Sequence, residues 1–174
     1  MFVIYGIGFV VAAFVLAMAF GGWWSRRSEG AGDGPDRRTI ATFAGGAPYA
    51  TEAERAARRE AGPYPLGEGI LAALAAELRR RGLGTSAIDA RDYAVDMRLT
   101  LEAQAAVLVL GAIGDHAWTL SVDAQGGGPG PRDLLPHVDA ALRSLDGISE
   151  LKWHRRRAVG ATGPEAATAD SPLD

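Results

Sequence analysis

The chain divides by the spacing of its apolar residues. From Phe2 to Phe20 no side chain is charged. At about 1.5 Å per residue a helix over this run spans roughly 28 Å, close to the ~30 Å hydrocarbon core of a bilayer. Around residues 66–81, Ile70, Leu71, Leu74 and Leu78 recur at helical spacing, predicting an amphipathic helix stopped by Gly82. Strict alternation follows, with Tyr93, Val95, Met97, Leu99 and Leu101 on one side and Asp96, Arg98 and Thr100 on the other, the pattern of a half-buried strand. A turn near Gln104 leads into the apolar run 105–113, a second strand. Trp118, Leu120 and Val122 then alternate with Thr119, Ser121 and Asp123 in a third. Leu134, Leu135, Val138, Leu142 and Leu145 mark a second helix over residues 133–146, with Asp133 as its cap and Gly147 as its stop. Residues 148–153 read as a last short strand.

The order is α-β-β-β-α-β, an α+β domain with a four-stranded, mostly antiparallel sheet and two helices on one face. The helix between the third and fourth strands makes a crossover, normally right-handed, that returns the fourth parallel to the first. The spatial order expected is 4-1-2-3. The second strand is unusual, because Val107 and Val109 face one way and Leu108 and Leu110 the other. With helices over one face, the opposite apolar pair is left uncovered, which makes Leu108 and Leu110 a candidate partner face.

Four segments result: a transmembrane helix over residues 1–24, a flexible linker over 25–65, the α+β domain over 66–157 and a disordered tail over 158–174. The linker is rich in Gly, Ala, Ser, Asp and Pro and buries too little to offset its chain entropy. Its one apolar patch is Thr39-Ile40-Ala41-Thr42-Phe43. Within it, Thr51 and Glu54 form a capping-box pattern that predicts a short, solvated polar helix near residues 52–61.

The anchor is defined by Phe2, Tyr5, Phe9, Phe14 and Phe20, then Trp23 and Trp24 at the headgroup level, then Arg26 and Arg27. Arginines after the span favour the cytoplasmic side. The expected location is the inner membrane, single-pass, with the N-terminus outside and the domain cytoplasmic. The lipid bilayer is then a partner. A competing expectation is an exported periplasmic protein with a signal cleaved at Ala17-Met18-Ala19.

Composition narrows the chemistry. With no cysteine, disulfides, thiolate metal sites and a Cys nucleophile are excluded. Basic residues are almost all arginine, and Ala and Gly abound, as in a GC-rich bacterial genome. A net charge of −3 lacks the basic excess of a nucleic-acid binder. His116, His137 and His154 are far apart in sequence, with no HExxH and no paired His at helical spacing, so no metal site is expected. Asp115-His116 occupies a turn. Gly126–Gly130 lacks the Lys-Ser/Thr of a phosphate loop. Asp89, Asp92 and Asp96 read as solvated. The basic run from Lys152 to Arg157 reads as a charged end to an edge strand, with anionic lipid headgroups as the alternative.

No catalytic, cofactor-binding or metal residue is named. The leading expectation is a non-enzymatic, membrane-anchored cytoplasmic domain of adaptor type that binds another membrane or cytoplasmic protein. The alternative is a small tethered hydrolase-like enzyme whose residues converge from separate elements. A deep pocket holding His116 or His137 beside a carboxylate would favour the enzyme.

Overall fold

The computed structural model describes residues 37–60, 67–91, 93–114, 116–127, 129–156 and 168–173, with the side chains of 57–60 left aside. Three α-helices occur among them: α1 (Glu52–Glu60), α2 (Glu68–Arg80) and α3 (Leu135–Arg143). Seven strands accompany them: β1 (Ile40–Gly45), β2 (Gly84–Thr85), β3 (Asp89–Arg91), β4 (Ala94–Leu101), β5 (Gln104–Gly114), β6 (Ala117–Ala124) and β7 (Ile148–His154).

These strands form one sheet in the order β2-β4-β5-β6-β1-β7, with β3 also on β4. Every pairing is antiparallel. The expected four-stranded α+β sheet with order 4-1-2-3 is therefore corrected. The meander β4-β5-β6 is present, but the last strand does not return beside its first member. β7 lies beyond β6, separated from it by β1, which comes from the segment read as linker. The physical reason is that the small patch at Thr39–Phe43 is sheet-forming. Ile40 and Ala41 are fully buried and Phe43 nearly so, because β1 has a neighbour on each side.

The predicted transmembrane helix also needs correction at the level of the described chain. Among the described residues no helix is long and apolar enough to cross a membrane. Residues 1–24, with Phe2, Tyr5, Phe9, Phe14, Phe20, Trp23 and Trp24, and the following Arg26 and Arg27, lie outside the described residues.

The core lies against one face of the sheet. Val95, Met97 and Leu99 of β4 stand beside Leu110, Leu108 and Ala106 of β5, and these beside Leu120 and Val122 of β6. Ala41, Phe43 and Trp153 extend the layer, and Ile70, Leu71, Leu74 and Leu78 of α2 close over it with Leu135, Val138 and Leu142 of α3. Helix α2 stops where the sequence says it should. Gly82 has φ +86°, and the amides of Gly82 and Leu83 donate to the carbonyls of Arg79 and Leu78, the paired bonds of a Schellman ending. Asp133 does not cap α3, which is entered through a 3-10 turn, Arg132–Leu134, with no side-chain cap bond. It accepts instead from Gln104 Nε2 at 2.6 Å.

The opposite face is polar but not wet. Asp96, Thr119, Ser121 and Asp123 on it are buried, as are Ile40 and Val109. Asp96 thus departs from the solvated reading, and it pairs with Arg91. Asp123 is held by the guanidinium of Arg156 in a buried ion pair and accepts from the Ser121 hydroxyl at 3.1 Å.

Candidate functional site at the edge of the sheet

Four places in the fold were marked by the sequence. Leu108 and Leu110, the candidate partner face, are 0% and 1% exposed and belong to the core under the helices. The residues on the other side of β5 are Val107 and Val109, and Val109 is also buried. The second side of β5 is thus covered at Val109 and only partly at Val107.

His116 stands exposed in the β5–β6 turn with φ +58°. It lines a shallow pocket of about 190 Å³ with Trp118, Ile70, Gly46, Ala47, Ala50, Glu54 and Arg55. A carboxylate therefore does lie in a pocket with His116, yet its acceptor capacity is committed. Glu54 Oε2 accepts from the Thr51 amide at 2.6 Å and the Glu54 amide donates to Thr51 Oγ1 at 3.1 Å, the capping box expected for α1. Glu54 Oε1 accepts from the amides of Gly67 and, at 2.9 Å, Glu68. One buried carboxylate thus joins two helix N-termini, where the backbone dipoles favour negative charge. Gly69 lets this junction close, since a Cβ there would sit 1.6 Å from the Tyr49 carbonyl oxygen. The pocket is smaller than ordinary ligand sites of ~300–1,000 Å³ and holds a structural carboxylate rather than a free base.

His137 lies on α3. His154 lies on the polar face of the sheet, sharing a 2.7 Å hydrogen bond with Thr42 Oγ1. Its pKa is lowered below the ordinary 6.5, first by burial and then by the nearby Arg38 charge. The three histidines are not brought together. Among the described residues no group of His, Asp and Glu is arranged to hold a metal ion. Asp92, Asp115, Gly128 and Arg157 lie outside the described residues.

The basic run at the end of β7 is where the structure departs furthest from the sequence reading. It is a solvated end only in part, at Lys152 and Arg155. Trp153 is buried in the core, Arg156 turns onto the polar face to meet Asp123, and Lys152 meets a segment expected to be disordered. Residues 168–173 lie along this edge. The Trp153 amide donates to the Ala169 carbonyl at 2.8 Å and the Ala169 amide returns the bond at 3.0 Å, an antiparallel bridge on the outer side of β7. Further on, the Arg38 amide donates to the Pro172 carbonyl at 2.7 Å, and Leu173 bridges Arg37. The chain leaves the sheet after His154, and the tail takes the position beside Arg37 and Arg38 that a longer β7 would have filled.

Side chains of β7 and α3 frame this seat. Lys152 Nζ donates to Asp170 Oδ1 at 2.6 Å, and Arg143 donates to the Asp170 carbonyl. Arg143 is itself oriented by Asp139, one turn earlier on α3, at 3.0 and 3.1 Å. Asp139 also accepts from the indole N–H of Trp153 at 2.7 Å. The core tryptophan, the helix carboxylate and the arginine that holds the tail form one connected network. Lys152, by its hydrogen bond and then by its charge, with Arg143 adding, keeps the Asp170 carboxyl below the ordinary aspartate value of 3.8. Pro172 is buried and Leu173 packs partly against the core.

Sequence reasoning missed this site because each half looks unremarkable alone. Residues 168–173 hold a single large apolar side chain, Leu173. The one faint signal was Thr39–Phe43, whose β-branched and aromatic residues favour a strand. No family model matches the sequence, and neither curated proteins nor solved structures give a significant match.

Proposed function

We propose that this chain is a non-enzymatic protein-binding domain that takes an extended segment of another protein onto the outer edge of β7. One observation carries the reading: the edge already holds the chain's own residues 168–173, which bridge Trp153 of β7 at Ala169, bend over residues 170–172 and accept from the Arg38 amide, just before β1, at Pro172. Strand addition of this kind draws its affinity from main-chain hydrogen bonds and its selectivity from side chains beside the edge. Here those side chains are Lys152 and Arg143. The receptor is rigid because Trp153 is fixed by the core and Arg143 by Asp139, so little ordering cost falls on the receptor when a strand arrives.

The test is a map of backbone amides. In full-length chain carrying Ala169→Pro, the tail loses the N–H that pairs with Trp153. An added peptide with the sequence of residues 168–173 is expected to shift the amides of Trp153, Arg38 and their neighbours. Shifts confined to the pocket around His116 and Trp118, or none at all, would sink the proposal. Placement of the domain at the cytoplasmic face of the inner membrane is part of the same reading and rests on the apolar run Phe2–Phe20 and on Arg26 and Arg27. Fractionation of full-length chain with protease access from outside intact cells decides it.

A further inference from the structure

Resting on that reading of the β7 edge, we infer that its ligand is a short acidic segment of the form small-acidic-polar-Pro-apolar that bridges Trp153 and then bends as the tail does, and that the chain's own tail is a competitor that holds the edge shut. Each position follows from what the tail touches. Ala169 occupies the bridge with Trp153, where both main-chain groups are used and the side chain is half-buried. Asp170 meets the only two cations directed at the tail, among the contacts described: Lys152 at its carboxylate and Arg143 at its carbonyl. A basic residue there faces both of them at close range. Ser171 is exposed, and its hydroxyl is turned back on Leu173, so this position is open to exchange. Pro172 is buried and only its carbonyl is used. A residue lacking an N–H therefore gives up nothing, and its fixed φ lowers the cost of ordering the segment. Leu173 supplies the apolar contact with the core.

The tail is suited to exchange. On β7 it pairs only with Trp153 among the described residues. Its ion pair lies in the open, with Lys152 and Asp170 about half and four-fifths exposed, so solvent and salt screen it. A segment held this way belongs to the low-stability end of a protein and opens locally without global unfolding. Its advantage over an outside ligand is attachment to the same chain, which gives it a high effective concentration. A partner segment wins by extending the ladder along β7, or by being present above that concentration.

The experiment uses full-length chain in two forms, unaltered and with the tail disabled by Asp170→Lys and Leu173→Asp. Both substituted side chains are in the tail: Asp170 is exposed, and Leu173 packs against the core only from its margin. The probe is a fluorescent peptide with the sequence of residues 168–173, read by polarisation. Its counterpart carries Lys in place of the acidic residue. The acidic peptide is expected to bind the tail-disabled chain at least tenfold more tightly than the unaltered chain. The Lys peptide is expected to bind tenfold more weakly, and Lys152→Glu in the tail-disabled chain to remove most of that difference. Equal binding of the acidic and Lys peptides would overturn the ligand chemistry while leaving strand addition at β7 standing. Equal binding to unaltered and tail-disabled chains would overturn the competition. No binding of either peptide to a tail-disabled chain with unchanged circular dichroism and melting would overturn both the inference and the function it rests on.

Discussion

The two edges of the sheet are closed in different ways. At one, β4 meets two fragments, β2 of two residues and β3 of three, with exposed Ser86 and Ala87 between them. Short, interrupted strands offer no continuous ladder to another chain. β2 also lies so close that a Cβ on Gly84 would come within 2.4 Å of Thr100 Oγ1. At the other edge stands β7, of seven residues, and what covers it comes from residues 168–173, across a stretch of intervening chain. Fragments woven into the neighbouring hairpins close an edge permanently. A remote tail is the kind of cover that the proposal expects to open. That difference, rather than any cleft, is what the proposed binding surface rests on.

Breaking the β7 edge from inside has the largest effect. Trp153→Ala empties a fully buried site and removes the indole bond to Asp139. A cost of about 3–5 kcal/mol is expected in urea unfolding, whereas Tyr93→Ala near the β3–β4 edge, at a half-exposed side chain, changes stability by about 0.5 kcal/mol or less. Similar costs for the two would erase the contrast. Next comes the ion pair that secures the chain after β7. Asp123→Ala leaves the buried Arg156 guanidinium without its carboxylate and costs roughly 3 kcal/mol. Arg91→Ala at the other edge removes a half-exposed partner of Asp96 and costs less, because water reaches the vacated place. Calorimetry of the two variants side by side checks the order.

The pH dependence sharpens the same contrast with smaller effects. His154, on β7, has a lowered pKa, so below 6.5 the unfolded chain takes up its proton before the folded chain does. Stability contributed by neutral His154 is complete above 6.5 and declines as pH falls below it. His154→Gln is expected to flatten melting temperature between pH 7 and 5; an unchanged slope would remove His154 from the account. Asp170 works in another window. Its carboxyl is held below 3.8 by Lys152, so its contribution to tail docking is complete above 3.8 and disappears as pH falls through its lower folded value. Smallest of all is Lys152→Glu. It is expected to leave global melting unchanged, since the pair is exposed, while loosening the tail as seen by proteolysis near residues 168–173.

How much of this was legible depended on how far apart in sequence the partners lie. β4, β5 and β6 are joined by tight turns; β4 and β6 announce themselves by alternation and β5 by its short apolar run. The stripe Ile70-Leu71-Leu74-Leu78 and the Thr51–Glu54 capping box are also local, and the structure shows both. β1 was hidden because only Ile40 and Phe43 are large, and its partners Ser121 and His154 lie in distant parts of the chain. Local hydropathy carries no trace of such pairing. β2 and β3 are too short to show a period. The tail was hidden for a deeper reason: it is held by main-chain bonds, which any sequence can make, and by one ion pair to Lys152. The burial of Val109 and Asp96 on the second face was illegible as well, since alternation shows which residues share a face but not whether that face meets water.

Amide hydrogen exchange at Trp153 tests the central claim most directly, because that N–H is donated to Ala169. In unaltered chain it should exchange more slowly than an unpaired edge amide and faster than Leu108 in the core. Disabling the tail with Asp170→Lys and Leu173→Asp should speed it by roughly tenfold or more, with Leu108 unmoved, and saturating acidic peptide should slow it again. If Trp153 exchanges at one rate in all three states while the fold is intact, the β7 edge is not a binding site.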